Sequence, residues 1–123
     1  MKILVTDDSK MARKMVIKIG KDILGENVEI HEGQNGQEAL DLYKELLPKI
    51  VFLDLTMPIM DGFEALEKIK EFDKNAKVVI ISADIQKLSM DKALQLGAFN
   101  FIKKPIDLTK MQQILNKINE LDN

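Results

Sequence analysis

A chain of 123 residues, 46% of them hydrophobic and 31% charged, is long enough for one good core and too short for two domains. A formal net charge of −2 argues against a nucleic-acid-coating surface, and the absence of cysteine excludes disulfides, a thiolate nucleophile and cysteine metal sites. The first apolar run starts at Lys2, so no signal peptide is expected, and no run approaches the roughly 20 apolar residues of a membrane span. The expectation is a monomer in a reducing cytoplasm, without membrane or nucleic-acid partners.

Lys2-Ile3-Leu4-Val5-Thr6 predicts a strand that ends at Asp7-Asp8. Ser9 then suits the N-cap of a helix whose apolar positions are Ala12, Met15, Val16, Ile19 and Ile23, closed by Gly25 and Asn27. Lys10, Arg13, Lys14 and Lys18 form a basic side of that helix, read as a solvated face that could also meet an acidic partner surface. Val28-Glu29-Ile30-His31 alternates apolar and polar, the pattern of a strand at a sheet edge, with His31 exposed and no ligand. Asn35-Gly36 turns into a second helix with Ala39, Leu40, Tyr43 and Leu47 on one side, and Pro48 stops it.

Ile50-Val51-Phe52-Leu53 is apolar throughout and reads as a strand buried on both faces. It delivers Asp54 to its end, before Pro58 and Asp61-Gly62 force a turn. Phe63, Leu66, Ile69 and Phe72 mark a third helix, and Val78-Val79-Ile80-Ile81 a second doubly buried strand ending at Ser82. Residues 86–96 form the weakest helical pattern, with Leu88, Ala93, Leu94 and Leu96 as its apolar side and Gly97 as its C-cap. Phe99-Asn100-Phe101-Ile102 is a mixed, edge-like strand before Lys104-Pro105, and Leu108, Met111, Ile114, Leu115, Ile118 and Leu121 trace a last helix. The seven methionines read mainly as core gap-fillers.

Five strands alternating with five helices imply an α/β fold, flavodoxin-like (βα)5. Its parallel sheet is covered on both faces, with the three apolar strands central and a strand order of 2-1-3-4-5. In such folds chemistry gathers outside the carboxyl ends of the strands. There the sequence places Asp7 and Asp8, Asp54, Ser82 and Lys104. Three carboxylates against one ammonium leave an excess of negative charge, and two like charges roughly 5 Å apart repel by about 3 kcal/mol at an effective dielectric near 20. Either a carboxylate takes a proton or a hard divalent cation such as Mg²⁺ fills the gap. Taken singly, an Asp after a strand is more often a turn or cap residue, and an Asp pair before a helix often complements its dipole. The conjunction of four strand ends carries the weight.

Val5-Thr6-Asp7-Asp8-Ser9, Asp54-Leu55-Thr56-Met57-Pro58, Met60-Asp61-Gly62, Ser82-Ala83 and Lys104-Pro105 together resemble the receiver domain of two-component response regulators. The resemblance spans the chain and is nearest the single-domain, chemotaxis-like type, so residues 1–123 are expected to form one receiver domain with no output domain. It implies that Asp54 accepts a phosphoryl group from a histidine kinase. It also implies Mg²⁺ held by Asp8, Asp54 and the Thr56 carbonyl, with Asp7 acting mainly through water. Lys104 would pair with Asp54 and then with a phosphoryl oxygen, and Ser82 would donate to another. Phe101 matches the aromatic switch position, where many members have tyrosine, and would populate two orientations. Thr56 and Asp84 resemble the pair that tunes acyl-phosphate lifetime. A cis Lys104–Pro105 bond is also implied. The chain would then be a signalling switch that catalyses only its own phosphorylation and dephosphorylation. Its partners would be the kinase, a downstream target and, as the family allows, a phosphatase.

Three other readings compete. A phosphatase using an aspartyl-phosphate intermediate usually has a second Asp two residues after the nucleophile, where this sequence has Thr56. A flavodoxin-like FMN carrier would want a phosphate-cradling loop where Asp7-Asp8 stand. A degenerate scaffold receiver would lack site residues that are all present here.

Overall fold

In the computed structural model, which describes residues 1–84 and 86–121 (the last by its backbone alone), strands and helices alternate throughout. The strands are β1 (Lys2–Thr6), β2 (Glu29–Gly33), β3 (Ile50–Leu53), β4 (Val78–Ser82) and β5 (Asn100–Lys103). The helices are α1 (Lys10–Leu24), α2 (Gly36–Leu46), α3 (Gly62–Phe72), α4 (Lys87–Gln95) and α5 (Leu108–Leu121). The side chain of Leu121, expected as the last apolar position of the closing helix, lies outside the described residues, as do position 85 and the final two residues of the expected 1–123 domain.

All strand pairs are parallel and the order is β2-β1-β3-β4-β5, as the apolar and mixed strands implied. Every residue of β3 and β4 is buried, which is why an unbroken apolar run suits them. On β2, Glu29 and Glu32 are exposed and the strand takes one edge. That strand starts one residue later and ends two later than expected, because its register is set by β1, with Lys2 opposite Glu29 and Thr6 opposite Gly33.

The sheet divides the core in two. Leu4, Val51, Leu53, Val78, Ile80 and Phe101 share a cluster with α2, α3 and Ala93 of α4. Ile3, Val5, Phe52, Val79, Ile81 and Ile102 share the other with Val16 of α1 and Met111, Ile114, Leu115 and Ile118 of α5. Each fully buried side chain of this size stabilises the fold by about 1.5–3 kcal/mol relative to leaving it in water.

Four helices begin on side-chain caps, α5 on Asp107, whose carboxylate accepts from the Thr109 N–H at 2.8 Å. Ser9 accepts from the Ala12 N–H at 3.2 Å, Asn35 from Glu38 at 2.9 Å and Asp61 from Glu64 at 2.9 Å. The α4 helix has no such cap and buries only Ala93. Leu88 and Leu94, expected inside, face solvent: the nine-residue helix meets the core through Ala93 and the partly buried Met90, and the rest of its apolar side stays open. Met15, Leu47, Phe72 and Leu108 are likewise exposed, each at or beside a helix end or a flank the neighbouring helices leave open. Of the methionines, Met57, Met60 and Met111 fill the core, while Met1, Met11 and Met15 are exposed. His31 is half-buried and bonded to Glu29 at 2.7 Å. Among the described residues no helix is long and apolar enough to cross a membrane.

Candidate functional site

Sheet register brings the chemistry together. Thr6 lies opposite Leu53, so Asp7 and Asp54 leave their strands side by side, and the Asp54 N–H donates to the Thr6 carbonyl at 3.0 Å. At the other end Ser82 lies opposite Lys103, and the Lys104 N–H donates to the Ser82 carbonyl at 2.9 Å. One oxygen from each of Asp7, Asp8 and Asp54 lies within 4.8 Å of the others. Asp7 and Asp54 are buried, Asp8 exposed. Lys104 Nζ reaches over them, 2.9 Å from Asp7 Oδ2 and 3.6 Å from Asp54 Oδ1. Its hydrogen bond therefore goes to Asp7, beside the ion pair with Asp54 that the resemblance implied.

Glycine lets the loop after β3 close on this site. A Cβ on Gly62 would stand 2.1 Å from the Asp54 carbonyl oxygen and 2.7 Å from Leu55 Cα. One on Gly36 would stand 2.2 Å from the Met60 carbonyl, to which the Gly36 N–H donates at 2.9 Å. No side chain larger than hydrogen fits at either place without moving backbone.

The electrostatics follow from this crowding. Burial, then the charge of Asp7, lifts the Asp54 carboxyl to about 6, against the pull of Lys104 and the Leu55 N–H, with Asp8 adding a smaller upward push. For Lys104 burial works against the charge, but the hydrogen bond to Asp7 and the charges of Asp54 and Asp7 outweigh it and hold the ammonium above its usual range. Mg²⁺ binds oxygens at about 2.0–2.1 Å in an octahedron, so adjacent ligands sit about 3 Å apart and opposite ones about 4.2 Å. Three carboxylates already within 4.8 Å of one another, all hard oxygen donors in excess over the one ammonium, fit such an ion.

The family model described as the response regulator receiver domain matches residues 3–116. The chain belongs to that family. Among curated relatives of this receiver domain, the chemotaxis protein CheY of Thermotoga maritima is 37% identical over 123 residues, covering 97% of this chain and 98% of its own. The CheY of Treponema pallidum is 46% identical over 113 residues, covering 89% of this chain and 76% of its own. Among solved structures, a chain of the CheX–CheY–BeF3–Mg²⁺ complex from Borrelia burgdorferi superposes with a TM-score of 0.88 at 37% identity, covering 97% of this receiver domain and 89% of that chain.

The remaining residues read from the sequence lie around this centre. Ser82 is buried and its Oγ accepts from the Asp84 N–H at 3.0 Å. The Asp84 carboxylate accepts from the Ser89 hydroxyl at 2.7 Å and the Gln86 N–H at 3.0 Å, contacts that hold it below the usual carboxylate range. Thr56 is exposed in the loop after β3. Phe101 adopts one orientation here, inside, packed with the cluster that contains Ala93 and, at its margin, Met90. The Lys104–Pro105 bond is cis.

Arg13 departs from its reading as part of a solvated face. It is only 7% exposed; Nη1 donates to the Asp7 carbonyl oxygen at 2.7 Å and Nε to Glu32 Oε1 at 2.9 Å. Its one mark in the sequence is that it is the only arginine.

Proposed function

We propose that this receiver domain is the phosphoacceptor switch of a two-component system and that Asp54 takes the phosphoryl group from a phosphohistidine of a histidine kinase. The observation that carries the reading is the placing of Asp54: a buried carboxylate lifted to about 6, flanked by Asp7 and Asp8, with the Lys104 ammonium 3.6 Å away.

In the transfer, an Asp54 carboxylate oxygen forms the O–P bond as the P–N bond breaks, and the electron pair leaves on the imidazole nitrogen. Such a step asks the protein for in-line positioning and charge neutralisation more than for covalent machinery. Asp8, Asp54 and the Thr56 carbonyl would hold Mg²⁺, with Asp7 acting through water; the bound ion supplies positive charge for the phosphoryl oxygens. Lys104 sits between Asp7 and Asp54 and needs only a short movement from Asp7 to reach a phosphoryl oxygen. Ser82 donates to another by rotating its hydroxyl. Hydrolysis of the acyl phosphate by water restores the carboxylate, so the domain catalyses only its own phosphorylation and dephosphorylation.

The output is binding, on the face made by α4, β5 and the start of α5. A groove of about 510 Å³ lies there between Met90, Phe101, Ile102, Pro105 and Lys110, and Leu88 and Leu94 of α4 and Leu108 of α5 are exposed. The two curated relatives named above are chemotaxis proteins, and the Borrelia burgdorferi complex contains CheX; a chemotaxis pathway with a target and a phosphatase is the setting we infer for this domain.

The test is phosphorylation by a small phosphodonor with Mg²⁺, followed by mass and hydroxylamine lability. One labile phosphoryl group is expected on the wild type and none on Asp54→Asn. Full labelling of that variant, or a label on His31, would rule the assignment out.

A further inference from the structure

The only arginine in a sequence rich in lysine is buried, and its fork is used in two directions. Nη1 holds the backbone carbonyl of Asp7 at 2.7 Å, and Nε holds Glu32 of the edge strand β2 at 2.9 Å, so the guanidinium ties α1, the turn after β1 and β2 together. A lysine ammonium is a single point on a flexible stem and does not reproduce a rigid planar fork. The carbonyl that Arg13 holds belongs to the Asp7–Asp8 peptide. Fixing that oxygen fixes the peptide plane, and with it the directions in which both carboxylates leave the chain. The Ser9 N–H bond to Asp7 Oδ1, at 2.9 Å, locks the same turn from the other side.

We propose that Arg13 is a positioning residue of the cation site: through the Asp7 carbonyl it sets Asp8 toward Asp54, so that the acids meet a divalent cation already aligned. This rests on the reading of Asp7, Asp8 and Asp54 as a Mg²⁺ site. Arg13 itself carries positive charge, and charge alone gives the opposite sign. Removing it, and leaving Glu32 uncompensated, would make the neighbourhood more negative and tighten Mg²⁺. Loss of alignment loosens it.

The experiment is a calorimetric Mg²⁺ titration at pH 7 of the wild type, Arg13→Met, Arg13→Lys, Glu32→Gln and Asp8→Ala, with circular dichroism to establish that each is folded. Groups that orient metal ligands commonly change affinity 10–100-fold when lost. Acting through one peptide plane, Arg13→Met is expected at the low end, about tenfold weaker. Arg13→Lys keeps the charge without the fork and is expected about threefold weaker. Glu32→Gln keeps the bond to Asp7 and stays within about twofold. Phosphorylation of Arg13→Met by a small donor should recover when Mg²⁺ is raised, which separates affinity from rate. Arg13→Met that binds Mg²⁺ as well as or better than the wild type overturns the proposal, as does unchanged affinity accompanied only by lower unfolding stability. Should Arg13→Met fail to fold, Arg13→Lys decides: wild-type affinity there overturns it. Asp8→Ala keeps the two readings apart. Undiminished binding in that variant removes the metal site itself, whereas weakened binding there with normal binding in the Arg13 variants removes only this inference.

Discussion

Lowering the pH from 7 to 5 should stabilise the metal-free protein through Asp54, and Asp54→Asn should abolish that part of the dependence. The folded-state carboxyl is raised from its ordinary 3.8 to about 6 by burial and by Asp7, so the folded chain holds the proton more tightly than the unfolded one. A raised value contributes stability that is complete below 3.8 and is lost as the pH rises through about 6. At 1.36 kcal/mol per pKa unit the whole interval is worth about 3 kcal/mol, and the span from pH 5 to 7 about 1 kcal/mol. The groups facing Asp54 are Asp7, Asp8 and Lys104. Groups elsewhere, His31 among them, act on both proteins alike and cancel in the difference. The assay is urea unfolding followed by circular dichroism, since the sequence has no tryptophan. With a slope of about 1–3 kcal/mol per molar, the wild-type midpoint should fall by roughly 0.5 M more than that of Asp54→Asn between pH 5 and 7. Because the cation needs the ionised carboxylate, Mg²⁺ affinity should be about tenfold weaker at pH 5 than at pH 7. Equal pH slopes for the two proteins would refute the argument that crowding and burial load this carboxylate.

Two glycine substitutions should move stability in opposite directions. Gly62→Ala puts a methyl 2.1 Å from the Asp54 carbonyl and is expected to cost 1–3 kcal/mol or more, whereas Gly20→Ala, in the interior of α1 with nothing within 4 Å, should add about 0.5–1 kcal/mol; thermal and urea unfolding read both. Ser82→Ala should still accept a phosphoryl group, more slowly, yet lose most of the gain in partner affinity that the beryllofluoride adduct produces in a pull-down. Amide shifts on activation should gather on α4, β5 and α5; a cluster on α1 instead would displace the proposed output face.

The fold was legible because the strands differ in kind: Ile50–Leu53 and Val78–Ile81 admit no exposed face, while the alternation of Val28-Glu29-Ile30-His31 suits an edge. The site was legible because strand ends converge by topology, so Asp7, Asp8, Asp54 and Lys104 meet wherever the intervening helices run. What escaped was decided by contacts between elements. Leu88 and Leu94 satisfy a helical period but stay exposed, because α4 meets the core through Ala93 and Met90. Arg13 looks like its lysine neighbours until the Asp7 carbonyl is seen beside it. Lys104 bonds to Asp7 in preference to Asp54 by a difference of under an ångström, which no spacing encodes.

The alternation of β5 has a consequence for how far a signal spreads. Phe101 and Ile102 are neighbours in the chain, yet the first belongs to the layer with α2, α3 and α4 and the second to the layer with α1 and α5. A sheet whose central strands are buried on both sides acts as a partition, and side chains on opposite faces share backbone but no packing. A turn of the Phe101 ring is therefore felt first by the weakly anchored α4. Met111, Ile114, Leu115 and Ile118 keep α5 seated on the far layer. If the output face is the one proposed above, the α4 wall of its groove would shift more than the α5 wall, and a partner touching both would read a change in the distance between them.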